Sequence, residues 1–108
     1  MVRPLEGVRV LDLSRMVAGG LTGMLLADFG ADVVKVEQPG TGDPLRQWTT
    51  EGVPLWWKVY ARNKRFITLN VPSPEGRDLL FALLPRFDAL LESFIPGTLE
   101  KWGLGWDM

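Results

Sequence analysis

The residue types absent from this chain narrow its chemistry first. It contains no cysteine and no histidine, which excludes disulfides, thiolate nucleophiles, zinc sites of the usual kind and Ser-His or Cys-His pairs within it. Covalent or acid–base work falls to carboxylates, lysines, hydroxyls and the single tyrosine. No metal is expected.

Three groupings could still bind a ligand. Gly19-Gly20 with Gly23, followed by Glu37 at the end of an apolar run, has the ingredients of a dinucleotide fingerprint, where glycines admit a pyrophosphate and an acid takes a ribose hydroxyl. The G-x-G-x-x-G spacing is absent, and the plainer alternative is that the glycines let a helix pack tightly on a strand. Arg62-Asn63-Lys64-Arg65 is a compact basic turn, able to cradle phosphates or to stand simply as a solvated turn. Among five tryptophans, Trp48, Trp56 and Trp57 fall in or beside a long loop, where one could stack on an adenine. Trp56, Trp57, Trp102 and Trp106 suit equally well a face packed against a partner chain or further polypeptide. Asp12, inside an apolar run, and Asp28, near a helix end, fit structural hydrogen bonding or solvation better than catalysis.

Those groups need a frame, and Gly7 to Glu37 supplies it. Val8 to Leu13 is dense enough in apolar residues for a strand covered on both faces, and Ala31 to Val36 repeats the pattern. Leu21, Met24, Leu25 and Phe29 recur at helical spacing between them, predicting a helix of about 9 residues that buries this face. Gly30 closes it in the left-handed conformation. The result is a βαβ unit, with Ser14 to Gly20 a loop whose backbone can approach a ligand.

Gln38 to Pro54 reads as a long loop at a ligand mouth. Leu55 to Ala61 fits a short helix, and Phe66 to Asn70 alternates as a third strand. Ser73, Pro74 and Glu75 have the chemistry of a helix start. Leu79, Leu80, Leu83, Leu84 and Phe87 mark the buried face of that helix, and Pro85 limits it. Ala89 to Glu92 fits a fourth strand and Thr98 to Trp102 a last helical piece. The order β-α-β-loop-β-α-β-α predicts an α/β fold with a mostly parallel sheet and flanking helices.

Composition agrees with a folded domain: 46% hydrophobic and 23% charged residues separate the chain from disordered sequences. A net charge of -1 gives no overall field for nucleic acid or an anionic membrane. No stretch reaches the roughly 20 apolar residues of a membrane span, and the amino terminus lacks a signal-peptide pattern. The cytoplasm is the expected location.

Several separated motifs, in order, closely resemble the amino-terminal region of class III CoA-transferases, the family that includes α-methylacyl-CoA racemases. They are Pro4-Leu5-Glu6-Gly7-Val8-Arg9-Val10-Leu11-Asp12-Leu13-Ser14, Leu26 to Glu37 with Pro39-Gly40 and Gly42-Asp43, Arg62 to Arg65, Ser73 to Arg77, and Glu92-Ser93-Phe94 with Pro96-Gly97 and Gly103-Leu104-Gly105. The resemblance covers the whole chain. It implies that residues 1–108 are the amino-terminal part of a Rossmann-like large domain that binds coenzyme A, the rest of that domain and a small domain lying outside this sequence. It further implies an interlocked homodimer acting on an acyl-CoA and a carboxylate acceptor through aspartyl-anhydride and aspartyl-CoA intermediates. Racemisation of a 2-methylacyl-CoA and a non-catalytic nucleotide-binding module are the alternatives.

The family's nucleophilic aspartate has no counterpart here, so the resemblance assigns no catalytic residue to this chain and implies that the chain is inactive alone. CoA contacts carry over position by position. Val17 and Ala18 fall in the loop beside the thiol end, Val17 standing where formyl-CoA transferases have glutamine. Gln38 replaces an arginine that often contacts the nucleotide, Pro72 replaces a lysine and Ser93 an asparagine. Leu69 and Phe94 are expected to flank the adenine, with Asn70 beside them and Lys101 replacing an arginine near phosphate. Arg62, Lys64 or Arg65 could compensate for the missing cations.

Overall fold

The computed structural model describes residues 2–107 of the chain. β1 (Arg9–Asp12), α1 (Met16–Asp28) and β2 (Asp32–Glu37) form the expected βαβ unit. Beyond it come α2 (Leu55–Tyr60), β3 (Arg65–Thr68), α3 (Pro74–Leu83), β4 (Ala89–Leu91) and α4 (Thr98–Lys101). The strands lie in the order β3-β2-β1-β4, and each pairing is parallel. These are the first four strands of the doubly wound order 3-2-1-4-5-6, one half and the opening strand of the next, so the fold is α/β and Rossmann-like as expected.

Side chains alternate along a strand, so each central strand feeds two cores. On one face, Leu11, Leu13, Val34 and Val36 join Val71 and Leu80, with Phe87, Phe94 and Trp102 packed around them. On the other, Val10 and Val33 join Ala27 and Ala31. Full burial of a valine or leucine is worth roughly 1.5–3 kcal/mol, so these two layers hold the sheet between its helices.

α3 starts as its sequence dictates: Ser73 Oγ accepts from the Gly76 N–H at 3.0 Å, with Pro74 in the first turn. A Cβ on Gly76 would fall 1.8 Å from the Asn70 carbonyl oxygen, so only glycine allows the preceding chain to lie that close. Pro85 does end the regular helix, which tightens into a 3-10 turn over Leu84–Arg86.

α1 departs from expectation in length and in orientation. It spans 13 residues rather than about 9 and absorbs most of the segment expected to be a glycine loop. Gly19, Gly20 and Gly23 are buried inside it. A Cβ on Gly23 would lie 2.7 Å from the Asp12 carboxylate and 3.0 Å from Lys64 Nζ, and one on Gly19 would collide with Ser14. The glycines therefore serve close packing of helix on strand, the plainer of the two readings. The buried face of α1 is consequently made of small residues plus Met24, while Leu21, Leu25 and Phe29 are 38%, 46% and 54% exposed. Gly30 ends the helix with φ +110°, as predicted. In α3 the corresponding correction is Leu79, which is exposed, while Leu80 is buried.

Candidate functional site

A cleft of about 410 Å³, including its open mouth, lies at the carboxyl ends of the strands. Its walls come from Leu13, Ser14 and Arg15 after β1, the end of β2 with Gln38, and Gly42 and Asp43 from the following loop. Leu69, Val71 and Pro72 after β3 close one side, and Phe94 with Trp102 the other. β1 sits between β2 and β4, so the chain reverses its direction of winding here, where open parallel sheets hold ligands.

The α1 face of the sheet changes character as it approaches this edge. Val10 and Val33 are apolar, but two residues on along each strand come Asp12 and Lys35, both essentially inaccessible, and then Glu37. Each carries a partner, as a buried charge must. Asp12 accepts from the Ser14 N–H at 2.8 Å and from the Ser14 hydroxyl. Its other oxygen lies 3.3 Å from Lys64 Nζ, which also donates to the Gly20 carbonyl at 3.1 Å. Lys35 Nζ donates to the Ser14 carbonyl at 2.6 Å and lies 2.9 Å from Asp43 Oδ2. Among the described residues no hydrogen bond meets Asp43 Oδ2, which the Lys35 charge holds.

Asp43 ties the loop to the switch point. Its Oδ1 accepts from the Leu45 N–H at 2.9 Å and the Met16 N–H at 3.2 Å, and its own N–H donates to Glu37 Oε2 at 2.8 Å. Glu37 is gripped in turn by both sides of the Arg46 fork, at 2.8 and 2.7 Å, and that guanidinium lies 4.0 Å over the Trp57 ring. Glu37 is thus committed to the protein's own arginine.

These contacts set the ionisation of the cluster. Burial opposes the Asp43 carboxylate, but the Leu45 N–H, the Lys35 ammonium and the Met16 N–H outweigh it and hold its pKa below the ordinary value. Glu37 is also held low, burial being outweighed by the Arg46 fork, the Asp43 N–H and the Lys35 charge. Lys64 moves down: burial and the Lys35 charge outweigh the support of Asp12.

The sequence-predicted positions distribute unevenly around the cleft. Gln38, Leu69 and Phe94 line it together. Asn70 stands at the rim, its Oδ1 accepting from Gln38 Nε2 at 3.4 Å. Ser93 lies behind Arg15, its Oγ accepting from the Arg15 N–H at 3.1 Å. Phe94 is packed edge-on against Trp102 at 5.1 Å and covered by the Arg15 guanidinium at 5.0 Å. Val17 and Ala18 occupy the first turn of α1, and Lys101 is exposed at the end of α4; these three are absent from the cleft wall.

The basic turn does not form a free cation cluster. Arg62 forks onto Asp28, Arg65 onto Asp32, and Lys64 is buried against Asp12. Arg15, Lys35, Asp43 and Trp102 are among the cleft residues that sequence reasoning did not select as ligand contacts. A signal for Lys35 was present: in Val33-Val34-Lys35-Val36-Glu37 the charges interrupt a strand otherwise apolar on both faces, so they have to be paired inside.

Fold and cleft together define a doubly wound α/β domain with a cleft at its switch point, and comparison with known proteins specifies it. The family model of CoA-transferase family III matches residues 5–108, and the chain belongs to that family. The succinyl-CoA–D-citramalate CoA-transferase of Chloroflexus aurantiacus is 56% identical over 108 residues, covering 97% of this chain and 27% of that protein. A formyl-CoA:oxalate CoA-transferase of Rhodopseudomonas palustris is 42% identical over 111 residues, covering 99% and 26%. A hypothetical protein from Mycobacterium tuberculosis, solved by crystallography, superposes with a TM-score of 0.90 at 41% identity, covering 97% of this chain and 29% of its own. The chain thus spans about a quarter of the length of the curated relatives it matches.

Proposed function

We propose that this chain supplies part of the coenzyme A site of a CoA-transferase, as the amino-terminal part of its large domain. The observation that carries the reading is the meeting of Gln38, Leu69 and Phe94 around one cleft at the switch point, in a chain of this family. Leu69 and Phe94 would take the two faces of the adenine, with Gln38 and Asn70 offering amide donors and acceptors at the nucleotide. Val17 and Ala18 would meet the thiol end through backbone, Ser93 would hold the turn beside it, and Lys101 would face phosphate.

The reaction proposed for the whole protein is a double exchange on an aspartate outside these residues. Its carboxylate oxygen attacks the thioester carbonyl, the C–S bond breaks, and CoA thiolate leaves with a mixed anhydride in place. The thiolate attacks the aspartyl carbonyl, releasing the donor acid and forming aspartyl-CoA. The acceptor carboxylate repeats the sequence in reverse, regenerating the aspartate. Covalent intermediates divide one exchange into easier steps. The transferase names of the relatives favour exchange over racemisation. An interlocked homodimer and a cytoplasmic location complete the proposal.

Two measurements on the full-length protein test it. Calorimetry is expected to show saturable CoA binding that weakens on Phe94→Ala, and hydroxylamine should trap an aspartyl species during turnover. Saturable NAD binding without CoA binding would overturn the reading; scrambling of the α-proton of a 2-methylacyl-CoA without exchange would move it to the racemases.

A further inference from the structure

We propose that Lys35 and Asp43 are positioning residues: together they hold the turn from Ser14 to Met16 in a strained backbone conformation that shapes the floor of the cleft. The inference rests on the coenzyme A reading of that cleft for its functional readout.

Met16 has φ +63°, in the left-handed region that glycine, asparagine and aspartate enter readily and methionine does not. It opens α1, and Leu13, Ser14 and Arg15, which separate it from β1, stand in the cleft wall. A non-glycine residue keeps such a backbone only where surrounding contacts over-determine it. Here they come from both sides of the turn. Lys35 takes the Ser14 carbonyl at 2.6 Å and Asp43 takes the Met16 N–H at 3.2 Å. Both side chains are 2% exposed and lie 2.9 Å apart, so each holds the other in place. Asp43 Oδ2 has no aligned donor of its own, which makes the pair dependent on charge and sensitive to isosteric neutralisation. The two residues come from β2 and from the loop after it, so the turn, also held by Asp12 and Ser93, is tied to a neighbouring strand.

The test separates strain-holding from general stability by removing the strain itself. In the full-length protein, Asp43→Asn is expected to weaken CoA binding about tenfold, the order of one lost charge-assisted hydrogen bond, and to speed amide exchange at Met16. Adding Met16→Gly, which removes the steric cost of φ > 0, is expected to return most of that affinity. Met16→Gly alone should not lower the unfolding midpoint. Unchanged CoA affinity in Asp43→Asn, a loss that Met16→Gly fails to recover, or a destabilised Met16→Gly protein overturns the proposal. Should the unmutated protein fail to bind CoA, the functional reading falls, and the exchange rate at Met16 in Asp43→Asn alone decides the positioning role.

Discussion

Asp12 shows why a buried acid in a strand need not be a catalyst. Its oxygens are consumed by Ser14 and Lys64, and among the described residues Lys64 has only Asp12 and one carbonyl to replace water. Asp12→Ala would strand that ammonium in the interior, and removing one partner of a buried pair costs about 3–5 kcal/mol. Urea unfolding should show a loss of that size, and adding Lys64→Met should recover part of it. The pH dependence follows from Glu37 and Asp43, whose pKa values lie below their ordinary 4.5 and 3.8. Between folded and unfolded pKa the unfolded chain binds more protons, so stability rises with pH in that window. The contribution is complete above pH 4.5 and is lost as pH falls through the folded values. Glu37→Gln should flatten the acid limb of a plot of unfolding midpoint against pH. Sequence reasoning foresaw the structural role of Asp12 and overlooked Lys35, because a lysine in a strand is usually solvated, and only a neighbouring loop reveals its partner.

At the level of elements, what was legible depended on local chemistry. Ser73-Pro74-Glu75 identifies the start of α3 without tertiary information, and Ser73→Ala should cost about 1 kcal/mol, within the usual range for a lost cap, measured by the same unfolding assay. The apolar run of β2 and the glycine after α1 were equally plain. α1 itself was not. Three glycines argue against a helix on propensity, and their value appears only when Asp12, Ser14 and Lys64 are seen against their backbone. Periodicity found a stripe of Leu21, Met24, Leu25 and Phe29, of which Met24 is buried, but could not say that the side meeting the sheet is otherwise made of small residues, which allow close approach. The cleft was half legible: Leu69 and Phe94 were reached through resemblance, and Trp102 only through the turn that returns it beside Phe94.

Across the whole molecule, the apolar residues outnumber the places available to bury them. Leu21, Leu25, Phe29, Leu79, Leu90 and Ile95 are all exposed, and Trp106 is fully so. Trp56, Trp57 and Trp102, by contrast, find aromatic partners within the chain. The 108-residue chain by itself should bind an environment-sensitive hydrophobic dye, and Leu21→Lys with Leu25→Lys should reduce that signal without lowering the unfolding midpoint. Unchanged dye binding in that double variant would place the exposed patch elsewhere.

The order β3-β2-β1-β4 also leaves each outermost strand with one flank of main-chain donors and acceptors unsatisfied by the described residues. β4 is three residues long and entirely apolar, without the lysine or proline that commonly guards such a margin. It therefore offers a template on which one more extended segment could be laid. Alternate amides of Ala89 to Leu91 should exchange quickly in the isolated chain and become protected wherever that seam is closed.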